Sequence, residues 1–402
     1  MKKVKHHIDY LVVGAGLFGS VFANRMLKAG KSVIVAECKD HIGGNCFTYQ
    51  DQETGINVHQ YGTHVFHTNN EKVWKFINQF VTFNTYQHKV FSLYKNRLYP
   101  MPINLQTLNM MNSELYKNNV QYTPQLTKDA FEIINKLFNK DSRQFNNFED
   151  IATCRVGKNA YEIFLKHYTI KQWGRNPSVL PATLLSRIPV RTTYESNYFT
   201  DKYQGIPVNG YTELFNKLLA GINVQLNLNH CEWQVLADRF NPKKILYTGP
   251  IDQLFEHYLG SLEWRGVEFD KVIFNTSDKF GTAVINYAEP EIEYTRSHEF
   301  KHLHPEKEYN SIKTVVYHER SYEYKATLYR LTNKIFPDYP VENNNTIDLL
   351  RRYRSRLLTD AKYAKLILGG RLGAYKYMNM DETIFSALKL SESELLKNQT
   401  RK

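Results

Sequence analysis

The sequence lacks the features that would place it in several common classes of protein. Its 402 residues include only four cysteines, Cys38, Cys46, Cys154 and Cys231, and none of them lies in a C-x-x-C pair. This spacing argues against a disulfide framework or a zinc ribbon and fits reduced thiols in a cytoplasm. No group of histidines, cysteines and acids stands out with metal-ligand spacing, so we expect no bound metal.

The sequence also lacks a hydrophobic run of membrane-spanning length at its basic start. The uncharged run Tyr10–Ala23 falls short of the ~20 residues that a membrane-spanning helix needs. It contains Gly14, Gly16 and Gly19, and no A-x-A cleavage site follows, which argues against a signal peptide. We expect a cytoplasmic protein with no stable membrane insertion.

Acidic residues are in the minority, since 40 Asp and Glu stand against 52 Lys and Arg and leave a net charge of +12. Such an excess favours anionic partners. The basic residues are dispersed apart from clusters at residues 2–5 and 351–356, and no nucleic-acid-binding motif accompanies them. Because the positive charge is the only feature that supports nucleic-acid binding, we expect no nucleic-acid partner.

The N-terminal region carries a dinucleotide-binding fingerprint. The apolar run Ile8–Val13 predicts a buried strand, and the sequence G-A-G-L-F-G at residues 14–19 follows it and opens a helix. A second buried strand, Ser32–Ala36, ends at an acid suited to bond the adenosine ribose. Glycines let the backbone approach a pyrophosphate at the helix N-terminus. The predicted cofactor contacts are Gly14, Gly16, Phe18, Gly19 and Glu37.

A second glycine pair favours FAD over NAD. The sequence H-I-G-G-N at residues 41–45 follows Glu37 closely, and this extension is typical of FAD-binding oxidases and mutases. We predict that Gly44 and Asn45 also contact the cofactor. The alternative is a surface turn after the second strand.

The rest of the chain changes character twice. Residues 84–102 predict an aromatic hairpin, residues 105–167 are helical, residues 268–319 predict antiparallel sheet, and βα character returns near the end. We predict an α/β fold with a Rossmann-like FAD-binding domain, an inserted helical domain and an antiparallel β-sheet domain. The expected boundaries are 1–80, 205–262 and 345–402 for the FAD-binding domain, 103–188 for the helical substrate and lid domain, and 81–102, 189–204 and 263–344 for the sheet domain.

Several motifs, spread from about Tyr10 to Leu388, resemble those of bacterial UDP-galactopyranose mutases. They are residues 14–19, 41–45, 59–68 (H-Q-Y-G-T-H-V-F-H-T), 171–174 (K-Q-W-G), 203–207, 247–252, 294–296 (Y-T-R) and 370–373 (G-R-L-G). The resemblance implies a homodimeric enzyme that interconverts UDP-galactopyranose and UDP-galactofuranose for cell-surface polysaccharide. It also implies that FAD acts in its reduced form, through a covalent bond between flavin N5 and the anomeric carbon.

The resemblance also implies roles for individual residues. Arg187 and Arg296 would stabilise the leaving diphosphate, which two guanidinium forks suit well. Arg187 lies in a stretch without a clear period, and we hypothesise a mobile lid there. His64 and Gly62 belong to the loop that would face flavin N5.

The resemblance implies substrate and further cofactor contacts as well. The expected substrate-binding residues are Tyr168, Trp173, Tyr198, Asn84, Tyr339, Tyr377 and Asn379. The expected additional cofactor contacts are Arg371, Tyr377, Met380 and Asp381. Two plainer interpretations stay open: Tyr168 could be a packing residue on the stripe of Phe164, and Asp381 could be an ordinary helix cap.

The sequence departs from the pattern that it resembles at three places. Thr63 stands where a proline is usual, Asp338 changes the usual P-Y-Y-P to P-D-Y-P, and Asn379 stands where an aspartate is frequent. The leading alternative function is a flavin-dependent oxidoreductase on the amine-oxidase-like scaffold.

Overall fold

A computed structural model describes residues 7–115, 145–182, 184, 190–228, 232–325 and 336–399. The strands are β1 (Tyr10–Val13), β2 (Val33–Ala36), β3 (Thr48–Gln50), β4 (Asn57–His59), β5 (Phe66–Thr68), β6 (Val90–Tyr94), β7 (Arg97–Met101), β8 (Tyr203–Gly205), β9 (Asn223–Gln225), β10 (Lys244–Tyr247), β11 (Trp264–Phe274), β12 (Val284–Tyr287), β13 (Arg296–Glu299), β14 (Thr314–Tyr324), β15 (Tyr339–Pro340) and β16 (Leu366–Leu368). The α-helices are α1 (Leu17–Lys28), α2 (Glu71–Ile77), α3 (Leu105–Leu115), α4 (Phe148–Ala160), α5 (His167–Trp173), α6 (Tyr211–Leu218), α7 (Glu232–Phe240), α8 (Ile251–Leu254), α9 (Asn344–Thr359), α10 (Gly370–Gly373) and α11 (Met380–Gln399).

The first sheet is wholly parallel and has the strand order β16–β10–β1–β2–β9. Its central strand β1 is buried at Tyr10, Leu11 and Val12, which is why the sequence there is continuously apolar rather than alternating. Helix α1 packs on this sheet and against α11. This sheet and its helices confirm the predicted Rossmann-like α/β class.

The second sheet has seven strands in the order β15–β11–β14–β13–β12–β6–β7. The prediction of an antiparallel sheet is correct except at one pair, because β12 lies parallel to β6. The predicted hairpin is confirmed as β6–β7, and its turn residues Lys95 and Asn96 have φ of 48° and 60°. Two successive positive φ values are characteristic of the type I′ turn, whose twist matches that of the strands.

The helical region is interrupted in a way that matters for the site. Between α4 and α5 the chain forms a π-helical segment, Tyr161–Lys166. A π-helical turn holds more residues than an α-helical turn, so it changes which residues share a face. Residues 116–144 lie outside the described part of the chain. Helix α11 has 20 residues.

One large hydrophobic cluster joins the two sheets and the helical region. It includes Val12 on β1, Val284 on β12, Val315 on β14 and Phe148 on α4. The division into three domains with the boundaries given above stays a prediction, because the units share this core. Among the described residues no helix combines the length and the apolar character needed to cross a membrane.

Candidate active site

Two adjoining cavities lie where the first sheet meets the second. The glycine cavity opens at the carboxyl ends of β1, β2 and β10 and is lined by Gly14, Gly16 and Gly44 among others. The arginine cleft lies between α5 and the second sheet and is lined by Arg296, Tyr168 and Trp173 among others. Both are lined by His64, Arg371 and Met380.

The fingerprint glycines have different reasons to lack a side chain. A Cβ atom on Gly14, which has φ of 108°, would lie 2.0 Å from Oγ1 of Thr248, and one on Gly19 would lie 2.0 Å from the carbonyl oxygen of Gly14. On Gly16 the nearest atom would be 3.9 Å away, the Cα of Gly44. Gly14 and Gly19 are therefore required by the fold itself. Gly16 keeps open a space into which a ligand fits, as the fingerprint predicts for a pyrophosphate.

Glu37 is buried at the end of β2 and is hydrogen-bonded on both carboxylate oxygens. Its Oε2 accepts a hydrogen bond from the backbone of Ala15 at 2.6 Å, and its Oε1 accepts one from the backbone of Lys39 at 2.9 Å. The carboxylate therefore ties the glycine turn to the second strand. It also lines the glycine cavity, as expected for a ribose-binding acid.

A polar chain that the sequence did not indicate closes one side of the glycine cavity. The ammonium of Lys39 donates to Oδ1 of Asn45 at 3.1 Å, and the amide of Asn45 donates to Oδ1 of Asp338 at 2.6 Å. Burial lowers the pKa of Lys39 and raises that of Asp338. Asn45 was a predicted cofactor contact and Asp338 was the unusual residue of P-D-Y-P, but nothing in the sequence pointed to Lys39 or to the connection between the three.

Arg371 lies at the boundary of the two cavities. Its guanidinium donates to the carbonyl oxygens of Asp338 at 3.2 Å and Met378 at 3.0 Å. Its central carbon lies 5.0 Å from the ring centroid of Tyr339 and 5.1 Å from that of Tyr377. The structure thus brings together three residues predicted from separate motifs.

The start of α11 agrees with the prediction at two positions and corrects it at a third. Met380 lines both cavities and Asn379 lines the arginine cleft. Asp381 lines neither, because its Oδ2 accepts a hydrogen bond from Thr68 at 2.9 Å and its Oδ1 one from the backbone of Glu382. Asp381 connects α11 to β5, and the structure does not support a cofactor contact for it.

Arg296 is the fixed cation of the arginine cleft. Its Nη2 donates to the hydroxyl of Tyr168 at 2.8 Å, and its Nε lies 3.1 Å from Oε1 of Glu319. Burial alone would raise the pKa of Glu319, but the charge of Arg296 and the hydrogen bond from His298 lower it to about 2. Both partners are therefore charged at neutral pH. No motif in the sequence pointed to Glu319.

Tyr168 lies in the cleft, although its spacing from Phe164 predicted a shared buried stripe. Phe164 is in the core, whereas the ring of Tyr168 reaches Arg296 and lines the cleft. The π-helical turn between them breaks the expected period of 3.6 residues.

The K-Q-W-G motif fixes α5 to the second sheet. The ammonium of Lys171 donates to the carbonyl oxygens of Tyr287, Glu289, Ile292 and Tyr294 at 2.5, 3.1, 2.9 and 2.9 Å. Burial lowers the pKa of Lys171 to about 8. Since these carbonyls precede Arg296, Lys171 positions that strand while Trp173, two residues later, lines the cleft.

The loop before β5 carries Gly62 and His64. Gly62 has φ of 83°, and a Cβ atom there would lie 3.0 Å from the ring of Phe269. The Nδ1–H group of His64 donates to the carbonyl oxygen of Gly62 at 2.8 Å. Burial lowers the pKa of His64 to about 4, so its ring is neutral at physiological pH.

The remaining predicted site residues have three different outcomes. Tyr198 lines the arginine cleft. Asn84 does not: its amide nitrogen donates to Leu303 and Glu306, and its amide oxygen accepts from the backbone of Tyr86 and Ile206. The structure therefore places Asn84 in the core, which corrects the expected substrate contact. Arg187 lies outside the described residues.

Comparison with known proteins agrees with this geometry. Residues 163–377, more than half of the chain, match the family described as UDP-galactopyranose mutase. The chain belongs to the UDP-galactopyranose mutase family. It is accordingly an enzyme of the isomerase class. Residues 12–80 also match an NAD(P)-binding Rossmann-like domain, in agreement with the glycine cavity.

Relatives in this family extend over nearly the whole chain. A probable UDP-galactopyranose mutase of Klebsiella pneumoniae is 34% identical over 387 residues, covering 96% of this chain and 94% of the relative. A dTDP-fucopyranose mutase of Escherichia coli is 32% identical over 393 residues, covering 97% and 99%. The crystal structure of a reduced UDP-galactopyranose mutase superposes with a TM-score of 0.70 at 15% identity over 96% of this chain and 94% of the other, which shows a common fold.

Proposed function

We propose that the chain interconverts UDP-galactopyranose and UDP-galactofuranose. The observation that carries this proposal is the junction of the two cavities. A half-buried arginine, Arg296, is held by Glu319 and Tyr168 in a tyrosine-lined cleft that shares His64, Arg371 and Met380 with a dinucleotide cavity. Such a junction suits a nucleotide sugar whose reacting carbon meets a cofactor.

The cofactor in this proposal is FAD in its reduced form. The open space at Gly16 and the buried acid Glu37 fit a dinucleotide, and the neighbouring Arg371 fits its pyrophosphate. When bound and reduced, the flavin would supply the nucleophile at N5, as in the covalent route that the resemblance implies.

The protein groups have the task of holding the sugar nucleotide and taking up the charge of its diphosphate. In this proposal Arg296 binds the diphosphate through a preorganised guanidinium, since the ion pair with Glu319 and the hydrogen bond to Tyr168 already hold it in place. The cleft residues Tyr168, Trp173, Tyr198, Tyr339, Tyr377 and Asn379 would orient the substrate. Arg187, which lies outside the described residues, stays the proposed second diphosphate-binding arginine.

A second candidate function is isomerisation of dTDP-fucopyranose. It is favoured by one specific observation: the dTDP-fucopyranose mutase is 32% identical to this chain, close to the 34% of the probable UDP-galactopyranose mutase. The two substrates share the diphosphate that Arg296 would bind. They differ in base, ribose and sugar, so the cleft has to discriminate between them elsewhere.

The oxidoreductase alternative is supported less. A putrescine oxidase structure has a TM-score of 0.58 at 11% identity over 98% of this chain, below the 0.70 of the mutase structure. The guanidinium of Arg296 in the cleft suits an anionic substrate better than an amine, which would be cationic at neutral pH.

The test compares two sugar nucleotides in parallel. FAD-reconstituted protein, reduced with dithionite, is incubated anaerobically with UDP-galactopyranose or with dTDP-fucopyranose, and products are separated by HPLC. We expect UDP-galactofuranose to form with the higher kcat/KM. The reverse order would support the second candidate, and no conversion of either sugar would contradict the proposal. A cytoplasmic homodimer that supplies cell-surface polysaccharide is also part of the proposal.

A further inference from the structure

His298 is a buried histidine of the second sheet that the proposed chemistry does not use. It lies two residues after Arg296 on β13, so both side chains project from the same face of the strand. Its side chain is 1% exposed, and both ring nitrogens have partners. Nδ1 lies 2.9 Å from the hydroxyl of Thr63 and 3.3 Å from its backbone nitrogen, and Nε2 lies 3.1 Å from Oε2 of Glu319.

These contacts fix the tautomer of the ring. The backbone N–H of Thr63 can only donate, so Nδ1 must be the acceptor and the proton of the neutral ring resides on Nε2. That N–H donates to Glu319. Burial lowers the pKa of His298, and the hydrogen bond to Glu319 only partly opposes this effect. The ring therefore accepts a hydrogen bond from the loop at Nδ1 and donates one to the carboxylate at Nε2.

Glu319 transmits the contact to Arg296. The register of the sheet places Glu319 on β14 directly opposite Arg296 on β13. Oε2 of Glu319 accepts a hydrogen bond from the Nε2–H group of His298 at 3.1 Å. Oε1 accepts one from the hydroxyl of Thr295 at 3.1 Å and lies 3.1 Å from Nε of Arg296 in an ion pair. With both oxygens hydrogen-bonded the carboxylate has one orientation, and its charge holds the guanidinium of Arg296 in place.

We propose that His298 is a positioning residue that couples the Gly62–His64 loop to Arg296 through Glu319. The inference deepens the proposed function, because it assigns the orientation of the diphosphate-binding arginine to the loop at the boundary of the two cavities. Thr63 is essential to this coupling, since the usual proline at its position would offer neither the N–H nor the hydroxyl. His298 also lines the arginine cleft, but in this role it acts through Glu319 on Arg296.

A double-mutant cycle tests whether His298 acts through Arg296. Wild type, His298→Leu, Arg296→Ala and the double variant are compared by their Kd for UDP and by kcat per bound FAD with UDP-galactopyranose. We expect His298→Leu to weaken UDP binding by about 3–10-fold and to lower kcat by about tenfold, from the loss of a hydrogen bond to a charged group. Both effects should disappear in the Arg296→Ala background.

Two further variants separate positioning from general destabilisation. Thr63→Val keeps the shape and the backbone N–H but removes the hydroxyl, and it should lower kcat by about 2–5-fold. This near-isosteric change also serves if His298→Leu does not fold. His304→Leu is the matched control, because His304 is equally buried and its Nδ1 is hydrogen-bonded to Glu306 rather than to this chain of contacts. It should change thermal stability but leave UDP affinity and kcat per bound FAD within about twofold.

Each outcome decides the question. Unchanged UDP affinity and kcat in His298→Leu and Thr63→Val would overturn the inference, as would equal effects of His298→Leu with and without Arg296. If the cycle behaves as expected in UDP binding but the wild type does not isomerise UDP-galactopyranose, the proposed function is wrong and the positioning role stands. A wild type that does not bind UDP would overturn both.

Discussion

The glycine cavity and the arginine cleft adjoin each other but are encoded in different ways. The glycine cavity depends largely on one βαβ unit, in which β1, the glycine turn, α1, β2 and Glu37 follow one another within residues 10–37. The arginine cleft takes residues from α5, β13, β14 and the segment before α11, which are far apart in the chain. The first is a local motif, and the second exists only once the sheets have assembled.

This difference teaches where side chains can be substituted. In the glycine cavity the backbone itself makes the site, so added atoms are what damages it. In the arginine cleft the site consists of charged and aromatic side chains held by one another, so removed atoms are what damages it. Substitutions in the two cavities should therefore differ in kind and in size of effect.

Removal of the central cation should have the largest effect. Arg296→Ala should lower kcat by about 10²–10³-fold, a typical loss for one donor to transition-state charge. UDP binding should weaken less, since charge on the diphosphate grows as the sugar–phosphate bond breaks. Arg296→Lys should not restore full activity, because an ammonium cannot reproduce the fork. Steady-state kinetics with UDP titration checks this. Near-normal kcat in Arg296→Ala would refute the role of Arg296 in stabilising the diphosphate.

The glycine variants should separate cofactor space from protein packing. Gly16→Ala places its methyl group 3.9 Å from the nearest protein atom, so the apoprotein should keep its Tm while FAD affinity falls by about tenfold or more. Gly19→Ala places its methyl group 2.0 Å from a carbonyl oxygen, so it should lower the Tm of the apoprotein. FAD titration and thermal unfolding of both variants are the measurements. Equal losses of Tm would show that Gly16 serves packing only.

Tyr168→Phe should have a smaller effect, because it deletes one hydroxyl and keeps the ring. The hydroxyl accepts from Arg296 at 2.8 Å, and a hydrogen bond to a charged group contributes about 1.5–3 kcal/mol. Because Arg296 is only half-buried, we expect the lower end of this range, roughly tenfold in kcat/KM. Tyr198→Phe is a useful comparison within the same cleft. An unchanged kcat/KM in Tyr168→Phe would favour the packing interpretation of this residue.

The smallest effect is expected in the pH dependence of stability. Folding lowers the pKa of Glu319 from 4.5 to about 2. Burial opposes this shift, and Arg296 and His298 cause it. Because the unfolded chain binds the proton more readily, the stabilisation is complete above pH 4.5 and is lost as pH falls from 4.5 towards 2. Glu319→Gln should therefore be less stable than wild type at neutral pH, and the difference should narrow in acid. Urea unfolding at pH 7 and pH 4 measures this, and a constant difference would contradict the assignment.

More of the glycine cavity than of the arginine cleft could be predicted from the sequence, because the glycine cavity is built from residues that are close together in the chain. The strand, turn, helix and Glu37 could be located because their spacing is local. Glu319 could not, since it becomes the partner of Arg296 only through the register of β13 and β14. Tyr168 was ambiguous because periodicity assumes an α-helix and the chain forms a π-helical turn there. Asn84 lies within a recognisable motif, but its hydrogen bonds show that it stabilises the fold.

The parallel pairing of β6 with β12 illustrates the same limit in the fold. Each strand alternates as an ordinary sheet strand does, and alternation carries no information about direction. Residues 90–94 and 284–287 are brought side by side by the path of the intervening chain. Similarly, Lys171 was part of a recognisable motif, but its four carbonyl partners depend on the docking of α5 against a distant loop.

The most direct test of the account is whether the arginine cleft isomerises its substrate without net oxidation. Reduced, FAD-reconstituted protein is mixed anaerobically with a large excess of UDP-galactopyranose, and sugar products and flavin absorbance are followed together. We expect many turnovers to UDP-galactofuranose while the flavin stays reduced. We expect no turnover by the air-oxidised protein. Flavin oxidation or reduction in step with substrate consumption, or full activity of the oxidised protein, would contradict it.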